Sequence, residues 1–233
     1  MKDLAGRVAV VTGGASGIGR ALASRLAAER MRLVLADVEK AALDDAVGAL
    51  AGEGASVLGV PTDVSDAASV EALAERVWQE HGACHLLVNN AGIGTDETRT
   101  PVWASSPNDW TWALRVNLWG ALHGIRAFVP RMLQGGEEGR VVNTSSGNGG
   151  LFPLPTTPIY ATTKAALTCL TEVLHHQLRM AGSKLGASVL FPGPHVVNTR
   201  IFDAARNRPP DLPREADPDA PPPTLADLKR MAE

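Results

Sequence analysis

Short apolar runs alternate with longer amphipathic stretches along this chain. Residues 7–11, 32–36, 56–60, 85–88, 140–143 and 187–191 carry apolar side chains at successive positions, as strands covered on both faces do. Between them, 17–30, 39–52, 67–81, 107–134 and 159–181 show helical spacing, with Ala21, Leu22 and Leu26 marking one such face. Regular strand–helix alternation predicts βαβ units with right-handed crossovers and a parallel sheet. The pattern therefore predicts one α/β domain over residues 1–202. After it the chain changes character. Seven of the sixteen prolines fall between Asp203 and Pro223, among Asp, Glu and Arg, which predicts an extended, mobile arm. Thr224 and Asp227 form a capping-box-like pair with Leu225, Leu228 and Met231 on one side. Residues 203–233 thus read as an arm plus a short terminal helix, too short to be stable alone and expected to pack on the body or a partner subunit.

The 233 residues are 45% hydrophobic, enough for one sizeable core. A net charge of −3 gives no electrostatic footprint for nucleic acid or an acidic membrane. No apolar run reaches signal-peptide or membrane-span length. Two cysteines, Cys84 and Cys169, predict no disulfide framework; both are expected to be small buried residues in a reducing, cytoplasmic setting. Asn143-Thr144-Ser145 fits a glycosylation sequon but ends a buried-strand pattern, which argues against its use. His175-His176 is expected at the surface, and no group has strong metal-ligand spacing, so no metal is expected.

Gly13, Gly17 and Gly19 directly follow the first strand and open a helix. Glycines let the backbone turn sharply and approach a pyrophosphate, while the helix start offers unpaired N–H groups. Asp37 closes the second strand eighteen residues after Gly19. A carboxylate there can accept both adenosine ribose hydroxyls and repel a 2′-phosphate, which favours NAD over NADP; Ala36 and Val38 flank it. The same aspartate could instead cap the helix that starts near Glu39. Asp63-Val64 is placed to meet the adenine edge, or else forms a turn. Tyr160 and Lys164 stand four residues apart, one helical turn. A cation ~4 Å from a phenol at an effective dielectric of ~20 supplies about 4 kcal/mol. That lowers a tyrosine near 10 by roughly three units, towards working pH.

Taken together, these motifs resemble the classical short-chain dehydrogenase/reductases over residues 5–202. The resemblance rests on the turn Thr12-Gly13-x3-Gly17-x-Gly19, Asn89-Asn90-Ala91-Gly92, Asn117, Ser145-Ser146, Tyr160-x3-Lys164, Pro192-Gly193 and Thr199. It implies a single-domain, doubly wound Rossmann fold with a mainly parallel sheet. Six strands are visible, and the family's seventh is missing. It implies that Gly13, Ser16, Gly17, Ile18 and Gly19 seat the dinucleotide, with Asp37, Asp63 and Val64 at its adenosine end. Asn90, Ala91 and Gly92 would line its floor, and Pro192, Gly193 and Thr199 would close over the nicotinamide. Tyr160 looks like the general acid/base and Lys164 like the group that holds the nicotinamide ribose and lowers the phenol pKa. Ser146 resembles the serine that orients the substrate oxygen, with Ser145 as its competitor; its gap to Tyr160 is one residue longer than usual. Asn117 looks like the residue whose carbonyl holds a relay water, or simply an asparagine that kinks a long helix. Thr199 lies beyond a stretch longer than the family's usual spacing.

The implied activity is NAD(P)-dependent interconversion of a secondary alcohol and a ketone. Trp103, Leu151, Phe152, Leu154, Ile201 and Phe202 suggest an apolar or aromatic small-molecule substrate, with Arg99, Arg200 and Asp203 as the few charges. Trp110, Trp112 and Trp119 read as core or subunit contacts. The helices 107–134 and 159–181 resemble those of the family's dimer contact, so a homodimer is expected, with a homotetramer as the larger option. Two other readings remain open on sequence. One is a nucleotide-binding protein without turnover that acts through partners; the other is an isomerase or dehydratase on the same scaffold.

Overall fold

A computed structural model of the protein describes residues 3–95, 97, 100–193 and 199–215, the Phe202 side chain excepted. The expected terminal helix at 224–233 and Arg99 lie outside the described residues. Among the described residues, six strands form one sheet: β1 (Val8–Thr12), β2 (Arg32–Asp37), β3 (Val57–Pro61), β4 (Leu86–Asn89), β5 (Gly139–Thr144) and β6 (Leu185–Leu190). Their spatial order is β3-β2-β1-β4-β5-β6, and every pairing is parallel. The helices are α1 (Gly17–Ala28), α2 (Lys40–Gly52), α3 (Ala67–His81), α4 (Pro107–Ala113), α5 (Gly120–Gly135), the single turn α6 (Gly147–Gly150) and α7 (Pro158–Met180).

The period-two alternation of strand side chains sorts the core into two layers. Val8 and Val10 pack with Leu73, Val77 and Phe128 of α3 and α5. Ala9 and Val11, pointing the other way, pack with Ala23, Leu43 and Leu50 of α1 and α2. Both layers are apolar, which is why the strands read as continuous hydrophobic runs. The chain winds outward from β1 to β3, then returns to place β4 on the other side of β1. The reversal leaves a crevice at the C-terminal ends of β1 and β4, where doubly wound folds bind ligands.

The expected helix over 107–134 is interrupted. Between α4 and α5, Leu114–Trp119 forms a π-helical turn that contains Asn117. Such turns carry i→i+5 bonds and recur at functional sites.

Two expectations are corrected. Cys169 is exposed, because it falls on the outer side of α7, whereas Cys84 is buried; burial pushes the Cys84 thiol up to about 12. The segment from Asp203 to Glu215 is not a free arm. Arg200–Asn207 forms a 3-10 segment, and Ala204 and Leu212 enter a cluster with Ile93, Trp112, Ala113 and Ile159. Arg208 lies over the Trp112 ring at 5.1 Å and pairs with Asp109 at 2.6 Å. Arg115 binds Asp211 at 2.8 Å. Proline excludes a regular ladder here, but these anchors hold irregular chain in place, and composition alone does not reveal tertiary partners.

Candidate active site

The crevice floor is built first by the glycine turn. Gly13 and Gly17 have φ of 64° and 51°, left-handed values that favour glycine. A Cβ on Gly19 would lie 2.0 Å from the Gly13 carbonyl oxygen, and one on Gly13 would lie 2.9 Å from the Ala91 Cα. The turn is clamped from the side: the Asn90 side-chain amide donates to the carbonyls of Thr12 and Gly13 at 3.1 and 3.3 Å. The Thr12 hydroxyl accepts from the N–H groups of Asn90 and Ala91 at 3.0 and 3.1 Å. Ser16 precedes α1 in an extended conformation and makes no side-chain cap, so Gly17, Ile18 and Gly19 open a helix whose first N–H groups suit an anion.

At the end of β2, Asp37 accepts from the N–H groups of Ala15 and Glu39 at 3.1 and 3.0 Å. This joins the aspartate to the glycine turn, and it also gives the carboxylate a local turn role. Although no cation flanks Asp37 in sequence, tertiary structure brings Arg206 into its field. Arg200 and Arg206 both pair with Glu39, at 3.2 Å for Arg200, and Asn207 donates to it at 3.1 Å. The Arg206 guanidinium, above all, holds the Glu39 carboxyl below its ordinary value. Asp63 accepts from the Ser65 N–H and hydroxyl at 2.8 and 2.7 Å, bonds of a turn. Val64 is buried against Gly120, and its carbonyl faces His123 Nδ1 at 2.9 Å.

On the other side of the crevice, α7 presents Tyr160 and Lys164. Lys164 is 2% exposed. Its Nζ donates to the Thr144 carbonyl at 2.9 Å and lies 5.6 Å from the Tyr160 ring centroid. A Cβ on Gly92 would come within 3.3 Å of that Nζ, so the ammonium sits where the β4 and β5 ends meet. Ser146 caps α6 by accepting from the Asn148 N–H at 3.1 Å, and its hydroxyl lies near enough to the Tyr160 phenol to favour the ionised form. Ser145 is buried and faces away, donating to the Lys164 carbonyl at 2.9 Å and meeting Thr168 at 2.8 Å. The structure therefore brings Ser146, not Ser145, to the phenol.

Asn117 is buried by its π-helical turn. Its side chain accepts from the Ile93 N–H at 2.8 Å and donates to the Ile93 carbonyl at 3.0 Å and the Thr163 hydroxyl at 3.1 Å. It therefore ties the chain after β4 to α7. A second buried polar chain runs from Asn89 through Asn143 to Thr171, with both steps at 2.8 Å; the sequon asparagine lies inside it, 0% exposed. Pro192 and Gly193 follow β6, and the Thr199 methyl lies against Gly17. Pro194 to Asn198 lie outside the described residues.

The electrostatics differ from the sequence expectation in one respect. Burial pushes the Tyr160 phenol above its ordinary 10.0, opposed by Ser146, while burial lowers Lys164 to about 8. The low-dielectric surroundings that would strengthen the attraction also penalise both ions, and Lys164 is directed at a carbonyl rather than at the phenol oxygen. Sequence reading missed Glu97, which is buried under the first turn of α7, and Glu39 with its arginines. Their partners lie far along the chain, and no local motif marks them.

A family profile described as short chain dehydrogenase matches residues 7–209. The chain is 38% identical over 192 residues to the probable oxidoreductase EphD of Mycobacterium tuberculosis, covering 82% of this chain but 31% of that relative. It thus spans about a third of that relative's length. A crystal structure of a short chain dehydrogenase/reductase from Burkholderia phymatum in complex with NAD superposes with a TM-score of 0.89 at 45% identity, covering 100% of this chain and 80% of that one. A metagenomic short-chain oxidoreductase in complex with NADP superposes with a TM-score of 0.75 at 31% identity, covering 82% and 84%.

Proposed function

The chain belongs to the short-chain dehydrogenase/reductase family of NAD(P)-dependent oxidoreductases, and we propose that it interconverts a secondary alcohol and a ketone with Tyr160 as general acid/base. The observation that carries this reading is the meeting of the Ser146 hydroxyl with the Tyr160 phenol, with the buried Lys164 Nζ 5.6 Å from the ring centroid. The glycine turn fits a dinucleotide: a Cβ at Gly19 or Gly13 would strike the turn's own backbone and the Asn90 clamp, so only glycine allows the tight bend that lets main-chain N–H groups approach a pyrophosphate. Gly13, Ser16, Gly17, Ile18, Gly19 and Asp37 would hold its pyrophosphate and adenosine end. Asn90, Ala91 and Gly92 would form its floor, and Pro192, Gly193 and Thr199 its cover. Asp63 and Val64 serve the adenine edge less directly, through the turn they build. The bound nicotinamide supplies hydride transfer.

Ser146 Oγ orients the substrate oxygen within reach of Tyr160 Oη. In oxidation, ionised Tyr160 takes the hydroxyl proton; in reduction, the neutral phenol returns one to the nascent alkoxide. Burial favours the neutral phenol, the form that carbonyl reduction uses. Lys164 holds the ribose side of the site with its ammonium, and Asn117 fixes the floor at Ile93. NAD is favoured over NADP by the Asp37 carboxylate, with Arg206 as a counterweight from outside β2.

An apolar or aromatic substrate is favoured by the exposed apolar side chains on the segments that follow β4 and β5, Trp103 and Leu151, 73% and 67% exposed. Of the three candidate charges, Arg200 and Asp203 pair with each other at 3.3 Å. Exposed Trp119, Leu133, Val173 and Met180 on the π turn, α5 and α7 suit a homodimer contact. The test is a panel of secondary alcohols and ketones with NAD, NADP and their reduced forms, followed by nicotinamide absorbance. Turnover of apolar carbinols or ketones, faster with NAD or NADH, is expected. No turnover across the panel, with NAD bound, would reject the reading.

A further inference from the structure

The helix that carries Tyr160 lacks a cap of its own. Thr157 precedes α7 with φ −141° and ψ 60° and makes no side-chain cap. The first-turn N–H groups are taken instead by a residue 62 positions away. Glu97 Oε2 accepts from the Ile159 N–H at 2.6 Å, and Oε1 accepts from the Tyr160 N–H at 2.9 Å. Glu97 is only 2% exposed. A buried carboxylate is costly unless its lone pairs are met; two N–H donors and the positive end of a helix dipole offset that cost here. Desolvation nonetheless raises its pKa, and Asp109 pushes the same way. The proton transfer described above makes no use of this group.

We propose that Glu97 is a positioning residue for catalysis, pinning the backbone of Tyr160 and joining the chain after β4 to the first turn of α7. The join has two ends. Asn117 holds that chain at Ile93, and Ile93 packs with Ile159 in one apolar cluster. Glu97 closes the other end on Tyr160 itself. The wall that follows β4 and the phenol therefore shift together, and loss of the Glu97 bonds lets the first turn of α7 fray beneath the phenol.

This inference rests on Tyr160 as the acid/base, and its test separates the two. Tyr160 is the one tyrosine in 233 residues, so tyrosinate absorbance reports its phenol alone. Glu97→Gln keeps the size but sets an amide N–H₂ against a helix N–H. Its tyrosinate titration is expected to move down from the wild-type value towards that of a free tyrosine. With the best alcohol of the panel, kcat should fall about 10- to 100-fold, while KM and NAD affinity stay within about 2-fold. A Tyr160→Phe/Glu97→Gln double variant should be no slower than Tyr160→Phe, because both act through one group. Should Glu97→Gln not fold, Glu97→Asp is measured in its place, with a smaller change in the same direction. A folded variant with unchanged titration and kcat overturns the role of Glu97. Retained turnover in Tyr160→Phe overturns the acid/base reading instead, whatever Glu97 does.

Discussion

The Lys164 ammonium donates to the Thr144 carbonyl at the end of β5, across 2.9 Å, while 2% exposed. Burial lowers its pKa from 10.5 to about 8. The folded protein therefore resists a proton that the unfolded chain binds readily. Its destabilising effect is fully present below pH 8 and fades as pH rises from 8 through 10.5. The shift corresponds to about 3 kcal/mol at pH 7. Lys164→Met should be inactive, and its stability relative to wild type should fall by about 2 kcal/mol between pH 7 and roughly pH 9.5. Urea unfolding at both values checks this; a pH-independent difference would refute the linkage.

Tyr160→Phe removes the phenol and little else. Turnover should drop by about 10³-fold, within the range of general acid/base catalysis, with NAD affinity kept within about 2-fold. Steady-state rates together with NAD titration by tryptophan fluorescence decide the point. Most of the activity surviving would mean that the proton travels elsewhere.

The glycine turn makes a prediction about space. A Cβ on Gly19 would stand 2.0 Å from the Gly13 oxygen and 2.6 Å from Asn90 Nδ2. Gly19→Ala must displace the turn or its clamp, at about 1–3 kcal/mol, and should abolish measurable NAD binding. Calorimetric titration and thermal melting test the two effects separately. Normal affinity in this variant would place the dinucleotide somewhere other than this turn.

Cofactor preference should depend on Asp37. Asp37→Ala loses a charged acceptor for ribose hydroxyls and relieves repulsion of a 2′-phosphate, so the ratio of kcat/KM for NAD over NADP should fall about 10- to 100-fold. Arg206, in the field of Asp37 and bound to Glu39, should support the NADP activity that appears. Adding Arg206→Ala should then reduce it again. An unchanged ratio in Asp37→Ala removes the assignment.

Leu212 is 7% exposed in the cluster that docks the C-terminal segment. Leu212→Ala should cost about 2–4 kcal/mol, read as a shift in the urea midpoint. A free arm would lose nothing.

Much of this protein was legible in its residues because the relevant physics is local. Apolar runs mark strands, helical spacing marks the helices between them, and the order of the two dictates a parallel sheet. The glycine turn, Tyr160 and Lys164 are set by short-range spacing on single elements, so their neighbourhood follows once those elements form. The resemblance favours Ser146 over Ser145 by its register after the strand end, but adjacent residues there point to opposite sides, and the packed α7 shows which hydroxyl meets the phenol and which meets the Lys164 carbonyl. The proton balance of Tyr160 was likewise beyond reach, because it turns on the burial of the phenol and on Lys164 being directed to the Thr144 carbonyl, neither of which spacing reveals.

What the chain determined by itself was therefore the strands and helices, their alternation and the glycine turn at the end of β1. Tertiary structure alone decided that Glu97 caps a helix 62 residues away, that two arginines cross to Glu39, and that proline-rich chain docks on Trp112. Each of these is a meeting of side chains distant in sequence, whose free energy depends on burial and geometry that only the assembled fold creates.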